Sequence, residues 1–204
     1  MNFKKLFIAS YLFVAPIVAK SQDSLTGFWG MPFGCSKQHI KEVIMSKFPN
    51  AKIYSDKDGV ITFTNVKFGG RDCIGLTFGV TDAQGMHTAV VGIDNEDYDV
   101  FSVYDDVVSD IDSRYHYHDK QYENWKSPYD KSDKSSYGQT ALKLHKLDML
   151  TFWNFSAGDL SNNDDDNYIE VSATEGCNVR IKYQNGVLIN QVVSNNKAKT
   201  QADY

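Results

Sequence analysis

The sequence predicts an α+β fold: antiparallel sheet with helices on one face. Three observations carry that reading. Segments 36–47 and 97–115 repeat apolar residues with the period of a helix, whereas other apolar runs alternate with the period of a strand. Short turn signals separate the strand-type runs, which suits antiparallel neighbours rather than long crossovers. The order of one helix and then about four strands occurs twice, which favours two pseudo-repeats sharing one compact unit.

The chain opens on a segment for delivery. Lys4 and Lys5 precede the apolar run Leu6–Ala19, whose length suits a signal peptide better than a membrane span. Ala19 can end this leader, or the small pair Ala19 and Ser21 can, leaving Gln22 as the new N-terminus; the second frame is favoured. Residues 1–21 are thus read as a signal peptide, and the product as periplasmic or extracellular. No later stretch is long and apolar enough to span a bilayer.

In the first half, residues 22–95, Ser36 caps a helix to about Lys47, with Ile40, Val43, Ile44 and Phe48 on one face. Pro49-Asn50 ends it. Asp58-Gly59 joins strands Lys52–Tyr54 and Val60–Val66 in a tight hairpin. A short loop, Thr81–Gly85, joins Cys73–Val80 to His87–Ile93.

The second half spans residues 96–193. Asp97 or Asp99 caps a longer helix that aligns Val100, Val103, Tyr104, Val107, Val108, Ile111 and Tyr115, with Asp105, Asp106, Asp110 and Asp112 opposite. A polar stretch, 116–140, reads as a long aromatic loop, and Ala141–Leu147 as a short helix. Strands follow at Leu150–Phe155, Tyr168–Ala173, Asn178–Tyr183 and Val187–Val193, the last two joined in a hairpin by Asn185-Gly186. Residues 194–204 lack apolar periodicity and read as a flexible tail.

Composition narrows the function. The 204 residues carry a formal charge of -5, and loss of the leader with its three lysines takes this to about -8. That balance argues against a nucleic-acid binder, which needs a basic face. Cys35, Cys73 and Cys177 follow the leader, so an oxidising compartment permits one internal disulfide and leaves one thiol over. Their spacing does not select a pair, and three small buried hydrophobes are the simpler account.

The run Gly27-Phe28-Trp29-Gly30-Met31-Pro32-Phe33-Gly34-Cys35-Ser36 opens a helix that ends in Lys47-Phe48-Pro49. It resembles the start of uncharacterised small exported bacterial proteins with a Pro-Phe-Gly-x-Ser helix opening. The wider plan of helix and meander is similar to tandem-domain beta-lactamase inhibitor proteins and to small barrel-assembly lipoproteins. Those groups bind other proteins and are not enzymes. The resemblance therefore implies an exported, non-enzymatic protein and transfers no binding residue. The chain departs from the lipoproteins in lacking a lipid-anchoring cysteine: Cys35 lies well beyond the apolar run and follows Pro32-Phe33-Gly34.

Candidate chemistry is sparse. Cys35 and His39 lie four apart near a helix N-terminus, the arrangement of a thiol nucleophile and its base, but Cys35 precedes the cap and the two need not align. His116 and His118 share a face of any extended segment near Asp112 and Asp119, yet lack a third zinc ligand at a diagnostic spacing. Asp164, Asp165 and Asp166 lack the alternation and glycine of a calcium loop. Tyr117, Tyr122, Trp125, Tyr129 and Tyr137 give the 116–140 stretch flat apolar faces with polar tips, suited to a protein partner or sugar rings.

The expectation is an exported, soluble, non-enzymatic protein without a cofactor. It binds a protein or envelope component through the aromatic loop or the exposed sheet face. An enzyme using Cys35 and His39, or a carboxylate pair acting on glycosides, is the alternative. A carbohydrate-binding module using the aromatic loop is another.

Overall fold

Along the central strands of the computed structural model, alternate residues are buried and the intervening ones are not. That one-sided pattern organises the chain over the described residues, 24–94, 99–155 and 166–202. The leader, Asp97, Asp164 and Asp165 lie outside them.

A small hairpin comes first, β1 (Gly27–Phe28) and β2 (Met31–Pro32). Trp29 and Gly30 turn it with positive φ angles of 51° and 79°. The hairpin buries Leu25, Phe28 and Met31, and Phe28 packs among Trp29, Phe68, Phe78 and Tyr183. Helix α1 (Lys37–Lys47) follows, capped by the Ser36 hydroxyl, which accepts the His39 N–H, and it buries Ile40 and Ile44.

Next come β3 (Lys52–Lys57), β4 (Val60–Thr64), β5 (Lys67–Phe68), β6 (Arg71–Thr81) and β7 (Gly85–Ile93). Asp58 and Gly59 have φ angles of 53° and 73°, the double left-handed turn expected of Asp-Gly between β3 and β4. Helix α2 (Val100–Arg114) is capped by Asp99, and every apolar residue aligned by its period is buried, Tyr115 included. After it run β8 (Lys120–Trp125), α3 (Lys134–Lys143), β9 (Leu147–Asn154), β10 (Tyr168–Ala173), β11 (Val179–Gln184) and α4 (Gly186–Ala202).

Eight strands line up in the order β3-β4-β6-β7-β11-β10-β9-β8, with β5 attached to β6, and the described pairings are antiparallel. α1 thus leads β3-β4-β6-β7, with β5 beside β6, and α2 leads β8 to β11, with α3 inserted after β8. Each run reaches the middle of the sheet at its last strand, where β7 pairs β11 from Val179 opposite Ile93 to Gln184 opposite Thr88. Helix α2 lies across β10 and β11, and α3 against β9. The strands' inward residues, among them Phe63, Leu76, Val91, Ile181, Val171 and Trp153, form one core with α1, α2 and α3. Tyr104 on α2 is tied to the sheet by a 2.6 Å bond between its hydroxyl and that of Thr151.

Several expectations are corrected. Asn185-Gly186 does not turn a final hairpin: the Asn185 side chain accepts the Leu188 N–H at 2.8 Å and its carbonyl the Ile189 N–H at 3.2 Å, which caps α4. The segment expected as strand Val187–Val193 and the tail after it as far as Ala202 are therefore helical, and β11 finds its partner in β7. The stretch 116–140 is not a loop, for it holds the edge strand β8, a 3-10 turn at Lys131–Asp133 and the start of α3. An edge strand buries little on either face, so its sequence does not alternate in hydropathy. The helix expected at Ala141–Leu147 begins earlier and ends at Lys143, and Leu147 starts β9. Asp112, expected on the solvent side of α2, turns inward and accepts from Trp153 Nε1 at 2.9 Å.

Gly85 sets how the lead-in to α1 meets the sheet. Its φ is 67°, and a Cβ there lies 2.1 Å from the Gly34 carbonyl oxygen. The same contact carries the bonds Gly34 N–H to Met86 and Met86 N–H to Cys35. Gly85→Ala should lose about 2–3 kcal/mol in urea unfolding through strain and backbone clash. Gly30→Ala, whose Cβ meets nothing within 4 Å, should lose only about 1 kcal/mol.

Candidate binding face

Because α1, α2 and α3 all cover one side, the other side of the sheet is left to its own outward side chains. The strand register ranks them. One rank crosses the sheet as Thr77, Val90, Lys182, Glu170, Phe152 and Lys120; a second runs Gly75, Gly92, Arg180, Ser172, Leu150 and Tyr122.

Two glycines opposite each other leave bare backbone at the start of the second rank. A bulge beside Gly75 pushes Ile74 outward, where it is 51% exposed. A bulge in β3 between Ile53 and Ser55 flanks Tyr54, which is 79% exposed. Tyr54, Ile74, Gly75, Val90, Gly92 and Arg180 line a groove of about 600 Å³ on this face. Thr62 and Thr77 share a 3.1 Å hydroxyl bond on its floor.

The β8 end of the face is aromatic. Tyr122 meets Phe152 edge-on at 6.1 Å, and Phe152 meets Tyr168 at 6.4 Å. These three, with Lys120, Asn154 and Asp166, line a smaller cleft of about 260 Å³. The Lys182 ammonium donates to the Tyr168 hydroxyl.

Charge divides between the two sides. The outward strand positions carry Lys52, Lys57, Lys120, Arg180 and Lys182 against Asp148 and Glu170, and Asp72 at the end of β6 is matched by Lys67. Arg180 donates to Glu170 at 2.9 Å. On the helix side α2 exposes Asp105, Asp106 and Asp110, the last two facing Arg71. A chain of net charge -5 therefore presents a cationic sheet face.

The five loop aromatics do not share a surface. Tyr122 alone stands on the outward rank, 48% exposed. Trp125 lies opposite Leu147 on the core side, half-buried, with Nε1 donating to Glu123. Tyr129 packs against the core and beside Tyr137, which is 55% exposed at α3. Tyr117 is 74% exposed and lies over His118.

The histidines are each taken up by one carboxylate. His118 Nδ1 lies 3.0 Å from Asp112, and His116 Nε2 lies 3.2 Å from Asp119. Among the described residues no group of three or more His, Cys, Asp or Glu is placed to hold a metal. Asp166 accepts from Asn154 Nδ2 at 2.7 Å.

Cys35 sits one residue before the cap of α1, its backbone spent on Pro32 and Met86. His39 contributes its backbone N–H to the Ser36 cap, and no hydrogen bond joins its ring to the Cys35 thiol among the described residues. No disulfide joins Cys35, Cys73 and Cys177 among the described residues. Burial raises the Cys35 thiol above its ordinary pKa and pushes Cys73 up to about 12. The outward Ile74, Gly75, Gly92, Phe152 and Tyr168 were not singled out by sequence alone. Two glycines inside strand-type runs were the available signal.

Comparison with known proteins gives no match to a family model, a curated protein or a solved structure.

A raised thiol pKa predicts slow chemistry. At about pH 7.5, iodoacetamide should label Cys35 more slowly than a free cysteine peptide. Peptide mapping of the labelled sites reads this directly, and labelling at the free-thiol rate would contradict it.

The sheet also holds a buried imidazole. His87 lies against Gly79, with Nδ1 3.0 Å from the Thr88 hydroxyl, and burial lowers its pKa from 6.5. The unfolded chain then binds more protons than the fold between the two pKa values, so stability is lost as pH falls below about 6.5. The urea midpoint should drop between about pH 7.5 and about pH 5.5, and His87→Gln should flatten that drop.

Proposed function

We propose that the protein is an exported, non-enzymatic binding protein whose open sheet face docks a protein with an acidic surface. The observation that carries this reading is the groove itself: Tyr54 and Ile74 stand exposed beside a glycine floor, with Arg180 on its wall. Large side chains held outward by two bulges are poorly accounted for by the fold's own packing, and such residues suit the anchors of an interface. Bare backbone at Gly75 and Gly92 lets a partner approach closely. The surplus of cations on this face selects the sign of the partner, and would speed its encounter.

The resemblance read from the sequence to the tandem-domain inhibitor proteins, whose members bind other proteins, points the same way as an analogy only. The signal-peptide pattern of residues 1–21 supports export.

The test is chemical crosslinking in envelope extracts of the source cell, with the captured species identified for the unaltered chain and for variants. Tyr54→Ala with Ile74→Ser should abolish capture of that species, and Arg180→Glu should weaken it. Tyr137→Ala, on the helix side, should leave it intact, and added salt should reduce it. Equal capture by the Tyr54/Ile74 variant, with its thermal unfolding unchanged, would remove the groove from the reading.

A further inference from the structure

The smaller cleft at the β8 end has a different chemistry from the groove. Its floor is the aromatic row Tyr122, Phe152 and Tyr168, and its rim is Asn154, Asp166 and Lys120. We propose that it binds a pyranose ring of a neutral oligosaccharide, stacked on Tyr122 and held at its hydroxyls by Asn154, Asp166 and Lys120.

Four features lead there. Tyr122 is half exposed although apolar ring surface gains by burial, and it has no neighbour beyond β8 in the sheet order. The rings behind it are fixed: Phe152 is bracketed by Tyr122 and Tyr168, and Tyr168 is held by Lys182, whose ammonium lies 4.9 Å from the ring centre. The polar rim is set in advance, for the Asn154 amide donates to Asp166 and its backbone N–H donates to Asp119 at 2.6 Å. A sugar presents a flat C–H face on one side and hydroxyls that both donate and accept on its edge. An aromatic platform beside a planar amide, a carboxylate and an ammonium complements both parts. Rigid placement of those groups also lowers the ordering cost of binding.

Charge refines the ligand class. Lys120 and Asp166 line the same cleft with opposite charges, so neither an anionic nor a cationic sugar is favoured. The cleft is separate from the groove at Tyr54, and the two readings stand or fall independently.

Calorimetry with neutral tetraoses tests it: β-1,4-linked glucose, β-1,4-linked N-acetylglucosamine and α-1,4-linked glucose. At least one should bind saturably, and Tyr122→Ala should weaken it by about tenfold or more. Tyr122→Trp, which keeps an aromatic face, should retain binding, and Tyr54→Ala should not change it. The proposal is overturned if no tetraose binds at concentrations up to about 1 mM. It is equally overturned if Tyr122→Ala binds as well as the unaltered chain, or if Tyr54→Ala weakens binding as much. Loss of protein capture in Tyr122→Ala without any tetraose binding would assign the cleft to the protein partner instead.

Discussion

The pairing of β7 with β11 is the constraint on which the structure rests. Each strand ends a run that begins more than a helix away in sequence, and without the other it would be an exposed edge. Joined, they place Ala89, Val91, Ile93, Val179, Ile181 and Tyr183 side by side under the helices. Register along this seam is strongly specified. A slip by one residue would turn Arg180 and Lys182 into the core and Ile181 out to water.

The same seam explains why one face stays open. The alternation that buries Val91 and Ile181 on one side leaves Val90, Gly92, Arg180 and Lys182 on the other. α2 follows β7 and crosses to β10 and β11 on the core side, so its apolar stripe and the sheet's inner face satisfy each other. α4 leaves β11 and packs against β7, and among the described residues no residue of it lines the groove or the cleft. The outer edges are managed by other means. β3 carries Lys52 and Lys57 and a bulge, and β8 carries Lys120 and Glu123, devices that discourage further strand addition. An open face whose edges resist pairing is suited to contact through side chains.

What the sequence made legible follows from burial. α1 and α2 each carry one buried stripe, so period and cap together located them, and Asp58-Gly59 located its hairpin through the φ angles only that kind of pair adopts readily. The failures lie where burial is slight or local chemistry is ambiguous. β8 and α3 bury few residues, so 116–140 read as a loop with aromatics gathered in it, whereas the chain distributes those rings over two faces. Asn185-Gly186 suits both a tight turn and a helix cap, and the choice was made by β7, more than ninety residues earlier, taking the position beside β11. Sequence alone points to an exposed sheet face, but which residues form it follows only from the strand order. Tyr122, Phe152 and Tyr168 come from three strands and meet only through register.

The separation of charge follows from the same one-sided design and bears on how the face works. α2 must bury its valines, so its acids go to the helix side, and the outward strand positions keep most of the sheet's cations. An exposed cation contributes little to stability, and Arg180 stays half exposed where it reaches the largely buried Glu170 carboxylate. Arg180 and Lys182 are engaged by Glu170 and Tyr168, but the surplus of cations over Asp148 and Glu170 on this face is more than its packing requires. As a field they act differently, since like charges within about 10 Å add and reach an approaching acidic surface before contact. The apolar Tyr54 and Ile74 then supply what the field lacks, short-range attraction that holds once water is expelled. On the proposed function, attraction at a distance and adhesion at contact would thus reside on the same sheet face.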